Sequence, residues 1–81
     1  MLTHFNLGIL YKTEGTFNKA IDSFQKSLNI NPFYTEAYFE LATTHLKTNN
    51  KESARQSLEK GLQAEPNNLK FRKLYNKVLA S

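Results

Sequence analysis

Any chemistry in this 81-residue chain has to come from a small set of titratable side chains. His4 and His45 are far apart in sequence, and no Ser-His-Asp constellation, glycine-rich phosphate loop or H-x-x-x-H spacing surrounds either. Each therefore reads as a packed or half-exposed imidazole rather than a catalytic base or metal ligand. Glu36 and Glu40 are four apart, which puts both carboxylates on one face of a helix. With no histidine or third carboxylate converging on them, they read as solvated surface. Lys70, Arg72, Lys73 and Lys77 share a short segment with Phe71 and Tyr75, a mixture of bases and rings that nucleic-acid surfaces use. Four bases are few for tracking phosphates, and the two rings fall on an apolar helical stripe, so a nucleic-acid or anionic-surface role is the less favoured reading. An enzyme, a bound metal and a cofactor are not expected.

The elements that position these residues follow from composition and pattern. With 40% hydrophobic and 22% charged residues the chain is globular rather than disordered. Its length predicts a single domain over 1–81, near the lower size at which one apolar core holds without staples. No apolar run approaches the roughly 20 residues of a membrane span. Cysteine is absent, which removes disulfides and thiolate metal sites, and the opening MLTHFNLGIL lacks the features of a secretory leader. A cytoplasmic location is expected. The net charge of +4 is uneven: residues 1–66 hold seven bases against all seven acids, so the excess lies in Lys70, Arg72, Lys73 and Lys77.

A shift of 34 residues superimposes Phe5, Leu7, Ala20, Ser23, Lys26, Leu28 and Pro32 on Phe39, Leu41, Ala54, Ser57, Lys60, Leu62 and Pro66. Seven identities in 34 comparisons exceed the roughly two expected by chance, and the period is that of a helical repeat. Each unit predicts two helices. Residues 2–14 carry Leu7, Leu10 and Tyr11 at helical spacing, and Gly15 supplies the left-handed position at which helices end. Residues 17–30 carry Phe17, Ala20, Ile21, Phe24 and Leu28, and Asn31-Pro32 stops them. The second unit repeats the plan, with Asn49 tolerating the left-handed conformation where Gly15 stood. Asn67 or Asn68 then caps a fifth helix with an apolar stripe of Leu69, Phe71, Leu74, Tyr75 and Val78.

These residues resemble the tetratricopeptide repeat family, whose pattern is W-x2-L-G-x2-Y, then A-x3-F, then P. The first unit reads His4, Leu7, Gly8, Tyr11, Ala20, Phe24, Pro32, with departures at His4 and at Ser27. The second reads Tyr38, Leu41, Ala42, His45, Ala54, Leu58, Gly61, Pro66. The resemblance covers the whole chain and implies an all-α, right-handed superhelical stack of antiparallel helix pairs, an α-solenoid of about five helices. Its parts would be repeat one (1–34), repeat two (35–68) and a capping helix (69–81). Gly8 and Ala42 would make room for Phe24 and Leu58 where the paired helices approach closely.

The resemblance also implies a non-enzymatic scaffold that binds a peptide or partner-protein segment in a concave groove lined by the first helix of each unit. The stripes facing that groove would be Leu2, Phe5, Ile9, Lys12; then Glu36, Phe39, Thr43, Leu46; then Lys70, Lys73, Lys77, Ala80. Partner-binding residues are therefore expected at Phe5, Ile9, Lys12, Phe39, Thr43, Lys70, Lys73 and Lys77, for a protein ligand with apolar and acidic groups. The apolar set Leu2, Phe5, Ile9 is also open to a neighbouring copy in a homo-oligomer, to a preceding repeat, or to its own repeat's packing. The family's carboxylate clamp for acidic chaperone tails would fall at Phe5, Ile9, Glu40, Lys70 and Leu74. Only Lys70 carries the required group, and Glu40 would repel a tail, so that specificity is not expected.

Overall fold

The computed structural model describes residues 3–80, so Leu2 lies outside the described residues. The chain forms five helices: α1 (His4–Thr13), α2 (Phe17–Ile30), α3 (Thr35–Lys47), α4 (Lys51–Ala64) and α5 (Leu69–Ala80). No strand occurs among the described residues, and the architecture is the all-α solenoid that the period implied. α1 starts at His4 rather than two residues earlier because Thr3 caps it, its hydroxyl accepting from the Asn6 N–H at 3.2 Å.

The two hairpin turns are built alike. Gly15 and Asn49 have φ of 82° and 60°. The Thr16 N–H donates to Tyr11 O and the Asn50 N–H to His45 O, both at 2.8 Å, 34 residues apart in register. Longer bonds, from the Gly15 N–H to Lys12 O at 3.1 Å and from the Asn49 N–H to Leu46 O at 3.2 Å, complete the same left-handed helix stop. At the other ends, Asn31 in extended conformation and Glu65 at φ -135° and ψ 77° leave the helix before Pro32 and Pro66. Of the two candidate caps for α5, Asn68 acts, its Oδ1 accepting from the Phe71 N–H at 3.4 Å.

α2 packs against both α1 and α3, and α4 against both α3 and α5, so each second helix sits between two first helices. The core divides along the repeats. Ala20, Phe24 and Leu41 form one buried cluster, with Phe5, Ile9, Tyr11, Ile21 and Leu28 around it. Ala42, Ala54, Leu58, Phe71 and Val78 form the other. Gly8 permits the close approach of α1 and α2: a Cβ there would lie 2.7 Å from Phe24 Cδ1, well inside contact distance. Gly61 does the same for α5, whose Phe71 ring fills the space a side chain would take. Leu69, expected on the apolar stripe of α5, is instead 66% exposed. It is the first residue of the helix, whose buried residues are Phe71 and Val78.

Candidate functional site

α1, α3 and α5 carry the side chains expected to meet a partner, and the second helices behind them fix their spacing. α1 and α3 touch only lightly through their backbones' neighbourhood. The links between the first helices are largely made by side chains. From α1, the Lys12 ammonium lies 3.3 Å from Glu40 Oε1 on α3 and donates a short hydrogen bond to the Thr43 hydroxyl. That hydroxyl donates to the Glu40 carbonyl at 3.1 Å, so α3 presents Lys12 with a carboxylate and a hydroxyl at once. The two charged side chains are only 18% and 16% exposed. From α5, Lys70 lies 3.0 Å from Glu36 Oε2 and 4.1 Å above the centre of the Phe39 ring, with both members of the pair 46% exposed. Phe39 continues inward to Phe71, ring centres 5.4 Å apart.

Lys12 with Thr43, and Lys70 with Phe39, are thus brought together in two separate knots. Phe5 and Ile9 are half-buried and turned to the first core cluster; Phe5 lies 5.7 Å from the Phe24 ring and 4.9 Å from Tyr34. The repeat's own packing therefore uses the face of α1 that the spacing alone left open. Lys73 and Lys77 are exposed and form no ion pair among the described residues. Reading Glu40 as solvated surface needs correction, because Lys12 of α1 holds it in a largely covered position, whereas Glu36 pairs with Lys70 and stays 46% exposed. A usable signal exists for one pair. Residues 36 and 70 are equivalent positions of successive units, which stack side by side, and their charges are opposite.

A concavity of about 610 Å³ lies between α2 and α4 over α3, lined by Gln25, Asn29, Tyr38, His45, Gln56 and Lys60 among others. His45 occupies the position of Tyr11 one unit earlier. Its Nδ1 is enclosed without a hydrogen-bond partner, and burial holds its pKa below the usual imidazole range. The folded state therefore favours neutral His45, a contribution present above pH 6.5 and lost as pH falls below it. Between about pH 7.5 and 5 the Tm is expected to fall, the direction set by the lowered His45 pKa. His45→Tyr should flatten the Tm profile over that window; an unchanged slope would assign it to other groups.

α4 and α5 are joined by a third polar knot. Arg55 binds Glu52 and Glu59 along α4, and the Tyr75 hydroxyl donates to Glu59 Oε2 at 2.7 Å. That bond, with Arg55 behind it, holds the Glu59 carboxyl below the usual carboxylate range and pushes the Tyr75 phenol up. No group of three metal-ligating side chains occurs among the described residues. No helix among them is long and apolar enough to cross a membrane.

Helical hairpins stacked at a 34-residue register, with a side-chain-rich face on the first helices, define a helical-repeat scaffold. The family model of the tetratricopeptide repeat matches residues 12–78, and the chain belongs to that family. It is 32% identical over 75 residues to the peroxisomal targeting signal receptor of Saccharomyces cerevisiae, a match covering 93% of this chain and 12% of that protein. Among solved structures it is similar to the first tetratricopeptide-repeat domain of Spaghetti (RPAP3) bound to the HSP90 peptide SRMEEVD. There the TM-score is 0.86 and the identity 26%, over 96% of this chain and 64% of the other. The chain thus spans about an eighth of the receptor and under two thirds of the solved domain.

Proposed function

We propose that the chain is a non-enzymatic protein-interaction scaffold whose α1–α3–α5 face binds a peptide or a segment of a partner protein. The functional unit is one domain, two repeats (1–34 and 35–68) closed by the helix of 69–81. The observation that carries this reading is the contrast along the face. Phe39 stands half-buried beside Lys70, and next to it α5 presents Lys73 and Lys77 with no internal carboxylate. An apolar anchor beside unpaired cations suits a ligand with an apolar side chain followed by acidic groups. The family membership and the peptide-bound structural relative support a scaffold role.

Peptides selected from a random displayed library against the chain test this directly. Those that bind are expected to combine apolar and acidic residues. Lys73→Glu with Lys77→Glu should weaken them at least tenfold while moving stability by less than about 1 kcal/mol, since both side chains are exposed and only Lys77 lies in the last turn of its helix. Phe39→Ala should weaken them too, with some loss of Tm through Phe71. Peptides indifferent to all three substitutions would place the binding face elsewhere. Self-association through α1 draws less support, because Phe5 and Ile9 already pack on their own repeat.

A further inference from the structure

The lysines of the binding face are not equivalent. Lys12 and Lys70 already hold carboxylates, Glu40 and Glu36, whereas Lys73 and Lys77 hold none among the described residues. We propose that Glu36 and Glu40 set the specificity of this face by filling the Lys70 and Lys12 sites from within. Acidic segments are thereby refused there and admitted only toward Lys73 and Lys77. The inference rests on the proposed binding face and names the chemistry it selects: an uncharged, apolar stretch across α1 and α3, with acidic groups confined to Lys73 and Lys77 on α5.

The physical argument is a competition. An internal carboxylate tethered by the fold acts at a local concentration that a free ligand at micromolar levels does not approach. A ligand carboxylate reaching Lys12 would also have to shed water while lying against Glu40, a like charge, with only a lysine already neutralised by Glu40 to offset either cost. The Lys12 site is closed more firmly than the Lys70 site. Its pair is 18% and 16% exposed and Thr43 adds a further acceptor, while the Lys70 pair is 46% exposed on both sides and open to screening by salt. Glutamine in place of either glutamate keeps the shape and a hydrogen-bond acceptor but frees the lysine's charge.

Fluorescence anisotropy with the labelled acidic heptapeptide SRMEEVD tests this. The unsubstituted chain should bind it weakly. Glu36→Gln with Glu40→Gln should tighten binding at least tenfold, with Glu40→Gln contributing the larger share. Lys12→Ala in the doubly substituted background should abolish most of that gain. Glu14→Gln with Asp22→Asn raises the net charge equally with exposed carboxylates off the face, and should produce less than a twofold change. No gain in the double variant, a gain that survives Lys12→Ala and Lys70→Ala, or an equal gain in the off-face control would each overturn the inference. If the double variant gains nothing while library-selected peptides still depend on Lys73 and Lys77, the face stands and only its control by Glu36 and Glu40 fails. If neither effect is seen, the face itself is wrong.

Discussion

Phe71→Ala is expected to cost about 3–5 kcal/mol, the range for emptying a phenylalanine site in a packed core. Phe71 has no exposed surface, packs on Phe39 and lies in the notch left by Gly61, so little around it is able to collapse inward. A chain of this length carries about 4–12 kcal/mol in total, at roughly 0.05–0.15 kcal/mol per residue, so the loss removes much of it. It should also be uneven. α5 packs chiefly on α4, and Phe71 with Val78 is what it buries there, whereas α1 and α2 share a separate cluster around Phe24. Hydrogen exchange should therefore show α5 amides losing protection first while those of α1 and α2 keep more of theirs. Phe33→Ala, at a ring 80% exposed, is the control and should leave Tm nearly unchanged. Uniform loss of protection across all five helices would mean that the two clusters melt as one unit.

Gly61→Ala is the second large effect, and its sign runs against helix propensity. On an exposed helix the change gains about 1 kcal/mol. Here the added Cβ would lie 2.6 Å from Phe71 Cδ2 and 2.9 Å from its Cζ, with the ring boxed in on its other sides. Overpacking of this kind costs about 1–3 kcal/mol, and a clash this deep belongs at the upper end, so a net loss near 2 kcal/mol is expected. One unit earlier the equivalent positions are Ser27 and Ala37, both buried, two small residues in place of a very small and a very large one. Gly61→Ala combined with Phe71→Ala comes close to that pair. Thermal denaturation of the double variant should show a cost below the sum of the two single losses by about 1 kcal/mol or more, the mark of residues in contact. Strict additivity would break the link between the notch and the ring.

The turns and helices were legible because their causes are local. Gly15 and Asn49 mark left-handed stops, the proline pairs mark the other ends, and Gly8 beside Phe24 follows from a small residue opposite a large one. The side-chain knots were not legible in the same way. Lys12 and Glu40 are 28 residues apart, and no pattern along either helix says that α1 and α3 will set them side by side. Lys70 and Glu36 are separated by one full period, so their pairing was available to a comparison of equivalent positions. Phe5 and Ile9 show the opposite limit. Helical spacing places them on a face of α1, but whether that face meets Tyr34 and the first core cluster or a partner depends on how far the next hairpin leans over it.

The bond from Tyr75 to Glu59 also gives the molecule an optical signature. The chain has four tyrosines and no tryptophan, so its ultraviolet emission is tyrosine emission alone. A phenol donating to a carboxylate surrenders its proton readily in the excited state and glows dimly. Among the described residues only Tyr75 has such an acceptor. Release of α5 from α4 should end that quenching and raise the emission of Tyr75.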